Sequence, residues 1–275
     1  MINDPYNKVA TIIRNPLHLK SMEANSNPFD NYTRSIGQFL LRASKTTNYK
    51  FILFMAIIKS VNRDRQFFHE DSGKYLIPVA HLAKLFFQIQ YTLYNKYHLK
   101  ILNNFSQRTG IIEIIRTITD CPNDSRAFTI PLENIPDNTV NDTIGLMNRH
   151  VIFLLRKDLQ IYDFYDENGT LIDVPYAVNE TEFRALMNNS RQYYIGIDGL
   201  FGEYLNTAYP IVLYSVVGSL AIFLERLNLA PRIFEKILDT LGEYNGSRQI
   251  TGGMKARLFD YNSTCFYCSR KLELN

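Results

Sequence analysis

Apolar residues recur every three or four positions along several segments of the chain. This spacing places them on one face of a helix, as in Tyr49, Ile52 and Ala56. The most apolar of these segments ends near Leu224, and the last begins near Pro231. The pattern therefore predicts helices, counted as one or two in the first segment, over 31–61, 79–97, 108–119, 210–227 and 231–242.

Two local signals add a hairpin and a helix start. Asn168 and Gly169 lie between runs rich in aromatic and β-branched residues, which is typical of a β-hairpin. We therefore expect a small sheet element over 150–175. Asn179 is followed three residues later by Glu182, a capping box that predicts the beginning of a further helix.

These elements predict a mainly α fold of the α+β class, with a helical body and a small β element. The composition changes near residue 120, where a segment rich in Pro, Asn and Asp begins. An internal loop over 120–150 would explain the change as well as a domain border would. If the changes in composition are domain borders, the chain has a basic helical region over 1–120, an α+β region over 121–243 with a hairpin near 160–174, and a C-terminal segment over 244–275.

Charge is unevenly distributed along the chain of 275 residues, 46% of which are hydrophobic. Residues 1–108 carry 15 Lys and Arg against 6 Asp and Glu, a net +9, whereas the remainder carries 15 against 21, a net −6. An electropositive first half suits a nucleic acid or an acidic partner. It is equally typical of the solvated face of a helical domain.

Composition also bears on location. Three cysteines make a disulfide framework improbable, and the first residues do not form a secretory signal. The apolar segment near 210–227 is shorter than the roughly 20 residues of a membrane span. We expect it to be a buried core helix, and the protein to be cytoplasmic, reduced and not bound to a membrane.

Cys265 and Cys268 form a CxxC motif near the end of the chain. Two thiolates at this spacing can bind one Zn²⁺, but a tetrahedral structural site needs two more ligands. The redox alternative is weak because no βαβ unit surrounds the motif. The further ligand candidates in the chain are Cys121, His18, His69, His81, His98 and His150.

The segment 232–275 resembles the beginning of HNH (ββα-metal) nuclease domains, which commonly read C-[FY]-Y-C-G-[RK]-x-L at this point. Ser269 stands where Gly is usual. More loosely, 48–87 resembles the helical N-terminal region of bacterial HNH proteins linked to anti-phage defence. The residues that match the motif are Cys265, Phe266, Tyr267, Cys268, Arg270 and Leu272.

The resemblance implies a structural Zn²⁺ held by this CxxC and a later one. It also implies that a water-activating His and the ligands of a divalent metal such as Mg²⁺ follow the first pair, with the metal stabilising phosphate charge while the His acts as general base. Beyond Cys268 the sequence has no Asp-His pair and no further Cys or His. No catalytic residue can therefore be assigned. We expect the sequence to end within the first zinc knuckle, by natural truncation or as a fragment, and to be inactive as given.

Two groups of basic residues could contact phosphates. The C-terminal group is interleaved with Tyr244 and Phe259, a mixture that suits backbone contacts to DNA and is equally typical of a soluble linker. That group is Arg248, Lys255, Arg257, Arg270 and Lys271. The N-terminal group is Lys45, Lys50, Lys59, Arg63 and Arg65.

Two other patterns indicate no chemistry. Glycines over 196–204 do not fit a phosphate-binding loop, because no Lys-Ser/Thr follows and no helix is expected to open there. Four acidic residues flank the predicted hairpin turn, where solvation is the ordinary explanation. They are Asp163, Asp166, Glu167 and Asp173.

Three hypotheses follow. In the first, the chain is the N-terminal recognition and assembly part of an HNH-type DNA endonuclease in bacterial defence, with DNA, a protein of a defence complex or a second copy as partners. In the second, it is a non-catalytic module that binds protein or nucleic acid and acts with a separate effector. In the third, it is an unrelated structural protein whose CxxC is incidental.

Overall fold

Helices account for most of the described part of the chain. The computed structural model describes residues 28–42, 48–63, 67–69, 72–101, 110–119, 129–175, 178–188 and 192–243. Its α-helices are α1 Pro28–Arg42, α2 Tyr49–Arg63, α3 Val79–Asn95, α4 Gly110–Thr119, α5 Asp137–His150, α6 Ile152–Leu159, α7 Glu180–Asn188, α8 Gly199–Thr207, α9 Tyr209–Asn228 and α10 Ile233–Thr240. Its strands are β1 Phe68–His69, β2 Lys74–Pro78, β3 Tyr162–Tyr165, β4 Leu171–Ile172 and β5 Tyr194–Asp198. The predicted mainly α fold with a small β element is confirmed.

The five strands form one antiparallel sheet in the order β1-β2-β5-β3-β4. Strand β5 lies at its centre and pairs with β2 on one side and β3 on the other, so that Ile197 is opposite both Tyr75 and Tyr162. Strands β1 and β2 precede residue 120 and the other three follow it. The sheet therefore joins the two regions on either side of the composition change.

Helix α2 lies at the centre of the helical layer and is buried on every side. All residues from Phe51 to Val61 are buried, because "FILFMAII" carries no polar face. It packs against α3, α6, α8 and α9. The buried Ser60 hydroxyl donates to the carbonyl of Ala56 at 2.8 Å, which satisfies a polar group inside this core.

A single hydrophobic cluster extends from Ile36 to Leu241 among the described residues. Residues before and after position 120 contribute to it together, as in the packing of α3 against α5 and of α2 against α9. The residues on both sides of position 120 therefore share one hydrophobic core.

Most of the elements read from the sequence are present. The predicted segment 31–61 covers most of α1 and α2, and the other four segments correspond to α3, α4, α9 and α10. Strands β3 and β4 form the expected hairpin, with Gly169 at φ +77° and the Asp166 carboxylate accepting from the Asn168 and Thr170 amides. The capping box is formed as well: the Glu182 amide donates to Asn179 Oδ1 at 3.0 Å.

Three expectations were wrong. Residues 152–159 form helix α6 and not part of a sheet, and Ile152, Leu155 and Leu159 have helical spacing. The loop expected up to residue 142 gives way to α5 from Asp137 onwards, directly after a proline that ends the extended segment. A helix does open within 196–204, since α8 begins at Gly199.

Candidate interaction surface

The CxxC motif and the C-terminal basic group that the sequence nominates for metal and DNA binding lie outside the described part of the chain. This holds for Cys265 and Cys268, for all five C-terminal basic residues (Arg248, Lys255, Arg257, Arg270 and Lys271), and for Cys121. Within the described ranges, no group of three or more His, Cys, Asp or Glu residues is arranged to hold a metal ion.

Two lysines of the N-terminal basic group have structural partners. Lys50 Nζ lies 2.6 Å from Asp158 Oδ2 in an ion pair between α2 and α6. Lys59 is buried, and its ammonium donates to the carbonyl of Leu241 at 2.5 Å. The prediction that Lys59 contacts phosphates is therefore wrong, because its ammonium is buried against Leu241.

The acidic residues around the hairpin also serve the fold. Asp163 Oδ1 accepts from the guanidinium of Arg156 at 2.9 Å, and Asp166 holds the hairpin turn. Strand β5 ends at Asp198, which caps α8 by accepting from the Leu200 amide at 2.9 Å.

A lysine and a tyrosine lie together on the sheet. Lys74 Nζ donates to the hydroxyl of Tyr165 at 2.6 Å. This hydrogen bond is the main reason why the pKa of Lys74 is raised, with the negative charges of Asp163 and Asp198 adding to it. The pair links β2 to β3 across β5.

The C-terminal end of α10 is fastened to the helical layer. Besides Lys59, the fastening involves Asp239, which accepts hydrogen bonds from Lys96 Nζ at 2.5 Å and from the hydroxyl of Tyr97. The hydrogen bond from Lys96, and to a lesser extent the one from Tyr97, holds the pKa of Asp239 below its usual value. At neutral pH the Asp239 carboxylate is therefore ionised while it accepts these two hydrogen bonds.

The last described residue is also fixed. The Tyr209 hydroxyl donates to Glu243 Oε1 at 2.8 Å, at the beginning of α9. The last described residue is thus anchored to the helical body, and in the sequence the basic segment with the CxxC motif begins one residue later.

Helix α9 has two apolar faces. One faces the core and contains Val212, Leu213, Val216, Val217, Leu220, Ala221, Phe223 and Leu224. The other faces outward: Ile211 is 74% exposed, Tyr214 47% and Ile222 53%, and Leu229 just beyond the helix is 91% exposed. The expectation of a buried core helix is met on the first face only.

This helix is long and apolar enough to cross a membrane, and it alone among the described residues passes that test of length and composition. In the fold, 44% of its most apolar stretch is buried.

A groove of about 570 Å³ runs beside the outward face of α9. Its walls are apolar side chains of α1, α2 and α9, including Leu41, Phe51 and Ile222, with Arg226 as the charged residue. Leu41 is 75% exposed. An apolar groove bordered by one cation suits the side chains of a protein partner.

Sequence reasoning did not find this surface, because apolar residues all around α9 predict burial and do not say which face is covered. The signal available was the row Ile211, Ser215, Gly218 and Ile222, which lies on one side of a helix opposite the larger core residues.

No family model, curated protein or solved structure matches this chain.

Proposed function

We propose that this chain is the recognition and assembly part of an HNH-type, metal-dependent DNA endonuclease of bacterial anti-phage defence, acting in the cytoplasm. The observation that carries the proposal is the sequence Cys265-Phe266-Tyr267-Cys268, with its flanking basic residues, in the segment that follows the helical body. No catalytic residue is assigned within residues 1–275.

The anchoring of α10 and of the last described residue supports this division of labour. Lys59 fixes Leu241, while Lys96 and Tyr97 fix Asp239, so α10 cannot swing independently of the core. A segment attached at this point has a fixed origin relative to the body. Such a body can keep a nuclease domain close to DNA, or to a partner bound elsewhere on its surface.

Each part of the C-terminal segment has a separate role in the proposal. Cys265 and Cys268 supply two thiolates, half of the donor set of a tetrahedral structural Zn²⁺. The basic residues Arg248, Lys255, Arg257, Arg270 and Lys271 supply sequence-independent contacts to phosphates. Zinc would brace the segment and leave the positive side chains free to follow the DNA backbone.

The groove beside α9 favours a second candidate function. An exposed apolar groove is typical of a surface that binds another protein. In this alternative the chain is a non-catalytic module that recruits a separate effector, and the C-terminal segment contributes affinity for nucleic acid or for that effector.

The salt dependence of DNA binding tests the proposed function. We expect the full chain to bind a fluorescent duplex with an affinity that falls steeply as salt rises, measured by anisotropy. Replacing Arg248, Lys255 and Arg257 together with Gln should reduce the slope of log K against log salt by about 2 to 3, because each lost phosphate contact removes about 0.9.

The matched control removes the same charges from the exposed surface of the body. Arg34, Lys157 and Arg232 are exposed, and their triple Gln variant loses two Arg and one Lys, as the test variant does. The control should keep the slope of the original chain. An equal loss of slope in both variants, or binding that is insensitive to salt, would contradict a DNA-contacting C-terminal segment.

A further inference from the structure

We draw no further inference here: the strongest candidate, the apolar groove that α1 and α2 form with the outward face of α9, carries none because nothing in the described part of the chain shows what covers it.

Discussion

Replacing Arg156 with Met is expected to lower the free energy of unfolding by about 2 to 3 kcal/mol, because it leaves buried carbonyls without their donor. Arg156 on α6 is buried, and its guanidinium donates to the carbonyl of Val174 at 2.8 Å and to that of Tyr162 at 3.3 Å. It also pairs with Asp163 at 2.9 Å. Methionine fills most of the volume but donates no hydrogen bond, so two buried carbonyls lose their donor.

Urea denaturation followed by circular dichroism measures this loss. The neighbouring Lys157→Met is the control, because Lys157 is exposed and its substitution should change stability by less than about 0.5 kcal/mol. Arg156→Lys should fall between the two, since an ammonium keeps the charge without the planar fork. A fully stable Arg156→Met would mean that α6, β3 and the segment at Val174 are not held together by this side chain.

Gly196→Ala is expected to destabilise the fold by about 2 kcal/mol, within the range of overpacked cores. A Cβ at this position of β5 would lie 2.1 Å from Cε2 of Tyr165 and 2.5 Å from its Cδ2. The ring cannot move away freely, because it is buried and its hydroxyl accepts the hydrogen bond from Lys74.

A double-mutant cycle shows whether the ring is the cause. In a Tyr165→Ala background, which is itself less stable, Gly196→Ala should cost little more, since the obstructing atoms are gone. Gly145→Ala on α5 is the control: nothing lies within 4 Å of its Cβ position, so the change should be neutral or stabilising. An equal cost of Gly196→Ala with and without the Tyr165 ring would contradict the packing argument.

The helices were predictable because each carries its own signal. The 3.6-residue period marked α3, α4 and α10, and the capping box of Asn179 and Glu182 is a purely local interaction that formed as expected. The hairpin at Asn168 and Gly169 was also predictable, because its turn depends only on residues that are neighbours in the sequence.

Strand β5 was missed because its pattern is completed by a residue from elsewhere in the chain. Gly196 contributes no side chain to the alternation, and its place on that face is taken by the ring of Tyr165.

The role of Lys59 was missed for a similar reason. Nothing near it in sequence shows that its partner is the carbonyl of Leu241, 182 positions away.

The two candidate sites, the CxxC motif and the outward face of α9, differ in the same way: a local sequence pattern predicts the first and not the second. The CxxC motif of Cys265 and Cys268 is a local pattern that sequence alone can nominate. The outward face of α9 became visible only when the fold showed that Ile211 and Ile222 are exposed while Val216 and Leu220 are buried.

We propose that Cys265 and Cys268 act together as a thiolate metal knuckle carried by the helical body. Titrating the reduced full chain with Co²⁺ tests it, because cobalt in a zinc site reports sulfur ligands by thiolate-to-metal charge-transfer absorption. Because two thiolates are only half of a tetrahedral donor set, we expect weak binding that shows this absorption only at excess Co²⁺, in the original chain and in Cys121→Ser, and its loss in Cys265→Ser with Cys268→Ser. No such absorption at excess Co²⁺, or absorption that survives loss of both knuckle cysteines, would contradict the account.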